Sequence, residues 1–223
     1  MLTAEKKKLY FDKYWQDQTE TRVDPRSLQR AEYIDKLLTK HSGQLLDVGC
    51  GRGVILDYFA GRGFDVTGFD ISPEVIEMVR RKGHEVQVLD LEQEDITTKY
   101  DVILCLEVLQ QIYNPSAVLE KLSSALKEDG ELVVSVPNEF HIVSRLKLLF
   151  GKPHLGDYEH SHIRLFTPRR EKRLFASVNL KATARRYVSI VPPRWSLLSK
   201  IFRPLAQVWP SLFAISSIYR LEK

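Results

Sequence analysis

Leu45-Leu46-Asp47-Val48-Gly49-Cys50-Gly51-Arg52-Gly53 runs directly into Val54-Ile55-Leu56-Asp57-Tyr58-Phe59. The residues from Leu45 to Val48 read as a short buried strand, followed by a tight glycine turn and a helical pattern. Glycines at alternate positions allow positive φ and let the backbone approach a ligand where a Cβ would intrude. The helix behind them aims its unpaired N–H groups and positive dipole end at the same spot. The stretch therefore reads as a nucleotide-type cofactor site at the carboxyl end of a parallel strand.

A dinucleotide loop requires G-x-G-x-x-G, so that a pyrophosphate sits on the helix N-terminus. Here the spacing is G-x-G-x-G, and Val54 stands where the third dinucleotide glycine would fall. Asp47 just before the turn would repel a pyrophosphate and attract an ammonium. Both features argue against a nicotinamide oxidoreductase. The run closely resembles the first motif of the class I S-adenosylmethionine (SAM) methyltransferases. In that family the loop, here Gly49, Cys50, Gly51 and Gly53, packs on the methionine and ribose part of SAM. The acidic residue, here Asp47, organises the amino end.

The segments downstream continue the resemblance. Phe64 to Asp70 forms a second strand after a glycine turn, and Asp70 at its tip is placed to accept both ribose hydroxyls. Ile71 would lie on the adenine, and Ser72-Pro73 opens the next helix as N-cap and first helical residue. A third strand, Glu85 to Leu89, ends at Asp90-Leu91. By resemblance, Asp90 meets the adenine amino group and the Leu91 N–H meets its ring nitrogen. The fourth strand, Tyr100 to Leu106, carries Cys105, which is counted with the cofactor set. Asn114-Pro115 starts a helix to about Leu126, and the turn Lys127 to Gly130 leads to strand five, Glu131 to Val136.

Five alternations of strand, helix and turn demand a parallel sheet with right-handed crossovers. The expected fold is α/β: a Rossmann-like doubly wound sheet of seven strands, mostly parallel with an antiparallel last strand. N-terminal lid helices and a substrate-side insert complete it. One domain is expected over 1–223, with lid helices in 1–43, the SAM-binding core in 44–138 and substrate-side and closing segments in 139–223.

Many small-molecule members of the family carry a glutamate-histidine pair where this chain has Gln110-Gln111. Glutamine takes no proton at neutral pH, although Gln111 can still hydrogen-bond a substrate hydroxyl or simply cap the loop. The densest titratable cluster lies further on, in Asp157-Tyr158-Glu159-His160-Ser161-His162-Ile163-Arg164-Leu165-Phe166-Thr167. It resembles the His-x-Arg-x-Phe-Thr segment that follows strand five in methyltransferases of glycan, quinone and methionine-biosynthesis type. His160 or His162 is the candidate general base, with His162 the more natural structural hydrogen-bonder. No third or fourth metal ligand accompanies them, so no metal is expected.

Tyr10, Phe11, Tyr14 and Trp15 share one face at helical spacing. The resemblance makes this a lid helix, with an aromatic such as Tyr14 near the methionine end of SAM. Arg26 or Arg30 is placed to pair with the SAM carboxylate. Glu139 to Lys152 reads as an amphipathic helix ended by a glycine, and the tail as two closing strands, Ala184 to Ile190 and Ser216 to Leu221. Between those strands the apolar, basic run from Trp195 to Trp209 contains Pro204, Lys200 and Arg203, which exclude a membrane span but allow contact with a membrane surface.

The chain has 223 residues, 43% hydrophobic, enough for one sizeable core. No secretory signal follows Met1, and Cys50 and Cys105 show no disulfide or zinc spacing, so a cytoplasmic protein is expected. The net charge of +4 conceals an uneven distribution: residues 140–223 hold 16 Lys/Arg against 4 Asp/Glu. That surface favours an anionic small-molecule acceptor or peripheral membrane contact. The Asn/Asp-Pro-Pro-Tyr/Phe run of amino-nitrogen nucleic-acid methylases is missing, which argues against nucleic acid. The expectation is a SAM-dependent methyltransferase acting on oxygen of a small-molecule, glycan or lipid-precursor acceptor. The alternative is a SAM-binding partner or regulatory protein of methionine-biosynthesis type.

Overall fold

Period-two alternation organises the centre of the molecule. On β1 (Gly43–Val48), Leu46 and Val48 face one apolar layer and Leu45 the other; on β4 (Tyr100–Leu106), Ile103 and Cys105 oppose Val102 and Leu104. The computed structural model describes residues 4–16, 25–152, 162–193 and 195–223. The expected helices bury their apolar faces on both sides of the sheet. Helices α2 (Pro25–Asp35), α3 (Val54–Ala60) and α4 (Pro73–Arg81) supply Ile34, Phe59 and Ile76 to one layer. Helices α5 (Pro115–Ser124) and α7 (Pro168–Ser177) supply Leu119 and Phe175 to the other. Helix α1 (Ala4–Gln16) lies outside these layers, against α4.

The remaining strands are β2 (Phe64–Asp70), β3 (Glu85–Val88), β5 (Leu126–Pro137), β6 (Lys181–Ser189) and β7 (Ala214–Glu222), and the sheet order is β3-β2-β1-β4-β5-β7-β6. All neighbours through β5 are parallel, and β7 runs antiparallel to both β5 and β6. The seven-stranded, mostly parallel sheet is thus as read from the sequence. The chain winds outward from β1 to β3 and then returns to place β4 on the other side of β1. The resulting switch point opens a crevice at the carboxyl ends of β1 and β4.

Several boundaries differ from expectation; β6 begins at Lys181 rather than Ala184, and β7 at Ala214 rather than Ser216. Strand β5 begins at Leu126 rather than Glu131, because Leu126 pairs with Tyr100 before the register shifts at Val102. Leu126 is buried, and the polar run Lys127 to Gly130 bulges outward. The helix expected from Glu139 starts instead at Ile142 (α6, Ile142–Leu149), with His141 as N-cap. The Asn138 side chain donates to Pro210 O at 3.0 Å and Ala214 O at 2.8 Å, while its Oδ1 accepts the Phe140 N–H at 3.1 Å, so residues 139–140 form a turn ahead of the helix. The insert between β6 and β7 consists of α8 (Ser196–Val208) and the single turn α9 (Pro210–Phe213). Among the described residues, no helix is long and apolar enough to cross a membrane.

Candidate functional site

The glycine loop is shaped by packing as well as by its own freedom. Gly51 has φ +48°, and a Cβ there would lie 2.9 Å from Cη2 of Trp15 on α1. A Cβ on Gly49 would meet Val108. The loop is tied to the neighbouring strand, since the Gly49 and Cys50 N–H groups donate to Phe69 O at 2.7 and 3.0 Å. The Asp70 carboxylate completes the tie, one oxygen accepting the Gly51 N–H and the other the Ser72 N–H, both at 3.0 Å. Each oxygen keeps a further lone pair for a ligand.

A cavity of about 540 Å³ opens over this loop. Its wall brings together Asp47, Gly49, Cys50, Gly51, Asp70, Ile71, Asp90, Leu91, Gln111 and His162, all expected from the sequence. Gly53 stands apart: it caps α3, and a Cβ there would be 3.0 Å from Val79, so it serves the α3–α4 packing. Cys105 is likewise away from the wall, fully buried in the layer that holds Val48 and Val134. Burial, reinforced by Asp47 and Glu107, pushes its thiol well up. Tyr14 lies on α1, but its side chain falls outside the described residues, as does the whole of His160. Of the α1 aromatics, Phe11 and Trp15 line the cavity.

Helix α1 closes over the cavity through polar ties. Lys7 Nζ lies 2.7 Å from Glu92 and 3.5 Å from Asp90. Ser72 Oγ donates to Asp12, and Arg52 donates to the Trp15 carbonyl at 3.1 Å. From α2, Arg30 reaches the cavity 3.6 Å from Glu107, whereas Arg26 donates to Ile190 O at 3.3 Å and ties α2 to the end of β6.

Burial dominates the electrostatics of the floor. Asp47 is 2% exposed, and burial together with the Asp70 charge pushes its carboxyl up to about 8, against the pull of Arg30. Burial also raises Asp70, although its backbone N–H donors oppose this. Two buried carboxyls on a cavity wall call for cationic or hydroxyl donors from a ligand. A ligand with an ammonium, a vicinal diol and a flat ring fits this set: Asp47 for the ammonium, Asp70 for the diol and Ile71 beside the ring.

Beyond β4 and β5, Glu107 and Glu139, to which the sequence assigned no site role, join Gln110 and His162. Glu107 adopts φ +57°, unusual for a non-glycine, and its Oε1 accepts from Ser135 Oγ at 2.8 Å and Ser216 Oγ at 2.7 Å. Gln110 is buried, its Nε2 donating to Glu107 O at 2.5 Å, while its Oε1 has no partner among the described residues. The Gln110 carbonyl accepts the N–H groups of Ile163 and Arg164 at 2.9 and 3.0 Å, which pins the segment carrying His162 to the rim. There His162 Nδ1 lies 2.5 Å from Oε1 of Glu139, whose side chain is 8% exposed. His162 also lines the cavity, so the pair brings an imidazole held by a carboxylate to its wall.

A family model described as a methyltransferase domain matches residues 21–184. The ubiquinone biosynthesis O-methyltransferase of Xylella fastidiosa is 32% identical over 117 residues, covering 49% of this chain and 48% of that protein. The chain therefore spans about half the length of the curated relatives it matches. Among solved structures, the magnesium protoporphyrin IX methyltransferase of Synechocystis, with bound SAH, superposes with a TM-score of 0.69 at 17% identity, covering 98% of this chain and 99% of that one. The [4+2]-cyclase SpnF superposes with a TM-score of 0.70 at 13% identity, covering 100% and 97%. At such identities the likeness is one of fold, and a fold alone does not select a reaction.

Proposed function

The chain belongs to the class I SAM-dependent methyltransferases, and from that premise we propose that it methylates a hydroxyl oxygen of a small amphiphilic acceptor. The Glu139–His162 pair at the cavity rim carries this reading. It offers a positioned base on an element other than the loop where Gln111 replaces the usual histidine. The O-methyltransferase named among the relatives supports oxygen as the acceptor atom. The surplus of Lys and Arg in residues 140–223 supports an anionic one.

Bound SAM supplies an already activated methyl group, so the protein's share is binding, orientation and proton handling. Asp70 would hold the ribose hydroxyls, Asp47 the ammonium and Asp90 the adenine amino group. Gln110 and Gln111, which line the cavity, would orient the acceptor hydroxyl. The His162 imidazole would take the acceptor O–H proton, so that the oxygen keeps its electron pair for methyl transfer. Glu139 holds Nδ1 and stabilises the imidazolium that results. Trp15 and Phe11 on α1 exclude water from above the loop.

Gln111 favours a second reading, a SAM-binding partner without strong catalysis. Incubating the protein with methyl-labelled SAM and a panel of hydroxylated aromatic, lipid and glycan acceptors separates the two. Labelled ether product that depends on His162 supports the first reading, and tight SAM binding with no product on any acceptor supports the second.

A further inference from the structure

Helix α8 is apolar on the side that faces away from the protein. Its inward side is set by Ser199, Phe202 and Ala206, with Ser199 and Ala206 buried. On the opposite side Leu197, Ile201 and Val208 recur at helical spacing, and Leu197 and Val208 are 75% and 67% exposed. A surface helix ordinarily turns charged residues to that face. Helix α6 repeats the anomaly, ending in Leu149 and Phe150, which are 77% and 74% exposed.

The two helices belong to one layer. Phe202 meets Phe213 of α9 with ring centroids 5.6 Å apart, and Arg145 of α6 donates to Ser211 O of α9 at 3.4 Å. Residues 141–152 and 195–213 contain no carboxylate, while Arg145, Lys147, Lys200 and Arg203 are all exposed there. Exposed apolar side chains accompanied only by cations match one kind of surface, acyl chains beneath anionic headgroups.

We propose that the α6–α9–α8 layer docks on an anionic membrane surface. Leu197, Ile201, Val208 and the end of α6 enter the headgroup boundary, and Lys200 and Arg203 meet lipid phosphates. Helix α6 begins three residues beyond Glu139, so docking places the Glu139–His162 rim beside the lipid. Vesicle binding stands on these helix faces alone. Delivery of an amphiphilic acceptor from the bilayer to that rim rests in addition on the methyl-transfer reading.

The test is co-sedimentation of the full chain with phosphatidylcholine vesicles, with and without phosphatidylglycerol, alongside SAM titration of each variant. The chain is expected to pellet with the anionic vesicles and to be released by salt. The triple variant Leu197→Ser/Ile201→Ser/Val208→Ser, and separately Lys200→Glu/Arg203→Glu, should lower the bound fraction by about tenfold with SAM affinity unchanged. Failure to pellet, or pelleting that neither variant reduces, overturns the proposal. So does a dimer that the serine variant dissociates in a chain that ignores vesicles, because the stripe then belongs to a second copy. Loss of SAM binding in the wild-type chain would sink the methyl-transfer reading while leaving the vesicle result standing.

Discussion

His162 Nδ1 and Glu139 Oε1 lie 2.5 Å apart across 23 residues of chain, one on a segment pinned by the Gln110 carbonyl and the other just past the end of β5. If this pair handles the acceptor proton, His162→Ala should lower kcat by about 10²–10⁴-fold. Glu139→Gln should cause a smaller loss, since the ring remains but its orientation and charge support weaken. Calorimetric SAM affinity should stay within about twofold in both variants, because neither group belongs to the cofactor floor. Full turnover in His162→Ala would remove the base from the mechanism.

Asp70 ties the glycine loop and is the acceptor proposed for the cofactor ribose. Asp70→Ala strands the Gly51 and Ser72 N–H groups and removes the acceptor proposed for the ribose hydroxyls. SAM binding should weaken by about 2 kcal/mol, roughly 30-fold, as read by titration. Asp70→Asn, which retains one acceptor oxygen, should lose less. Unchanged SAM affinity in both would take Asp70 out of the ribose role.

Asp47 predicts a pH dependence with a definite sign. Its carboxyl is pushed up to about 8 in the folded protein from an ordinary value of 3.8. Between those values the unfolded chain has released this proton and the folded chain has kept it. Folding stability without ligand should therefore fall as pH rises through that window and level off above it. Asp47→Asn should flatten this slope in thermal unfolding. An ammonium bound at Asp47 favours the carboxylate, so SAM binding below about pH 8 should release a proton. Titration in buffers of differing ionisation heat reads that release, and its absence would detach Asp47 from the ammonium.

Gly51→Ala combines a left-handed φ of +48° with a Cβ 2.9 Å from the Trp15 ring. The backbone strain alone costs about 1 kcal/mol, and the ring must also shift. Thermal unfolding should show that loss, and SAM affinity should fall with it. The double variant Gly51→Ala/Trp15→Ala should recover only the part due to the ring. A double variant as unstable as the sum of the single ones would show that the Trp15 contact carries no coupling.

The cavity floor was legible in the sequence because its parts are local. Asp47 and the glycines share one strand-turn unit, and Asp70 and Asp90 sit at strand tips whose hydrophobic patterns announce them. Ser72-Pro73 and Asn114-Pro115 encode helix starts within three residues, and the structure shows both serving as caps. The beginning of β5 was less legible: Leu126 joins the sheet by pairing with Tyr100, and no pattern within the Lys127 to Gly130 turn reports that partner.

The sequence by itself determined the order of strands and helices, the glycine loop and the carboxylates that line the cavity, because each follows from spacing along a few turns of chain. The tertiary structure alone decided which distant groups meet. It set Glu139 against His162, Trp15 against Gly51, and Glu107 between Ser135 and Ser216. It also assigned Gly53 to helix packing and Cys105 to the core. Such contacts depend on strand register and on the angle at which helices cross the sheet. Both are set by burial summed over the whole core, and no short stretch of residues contains that sum.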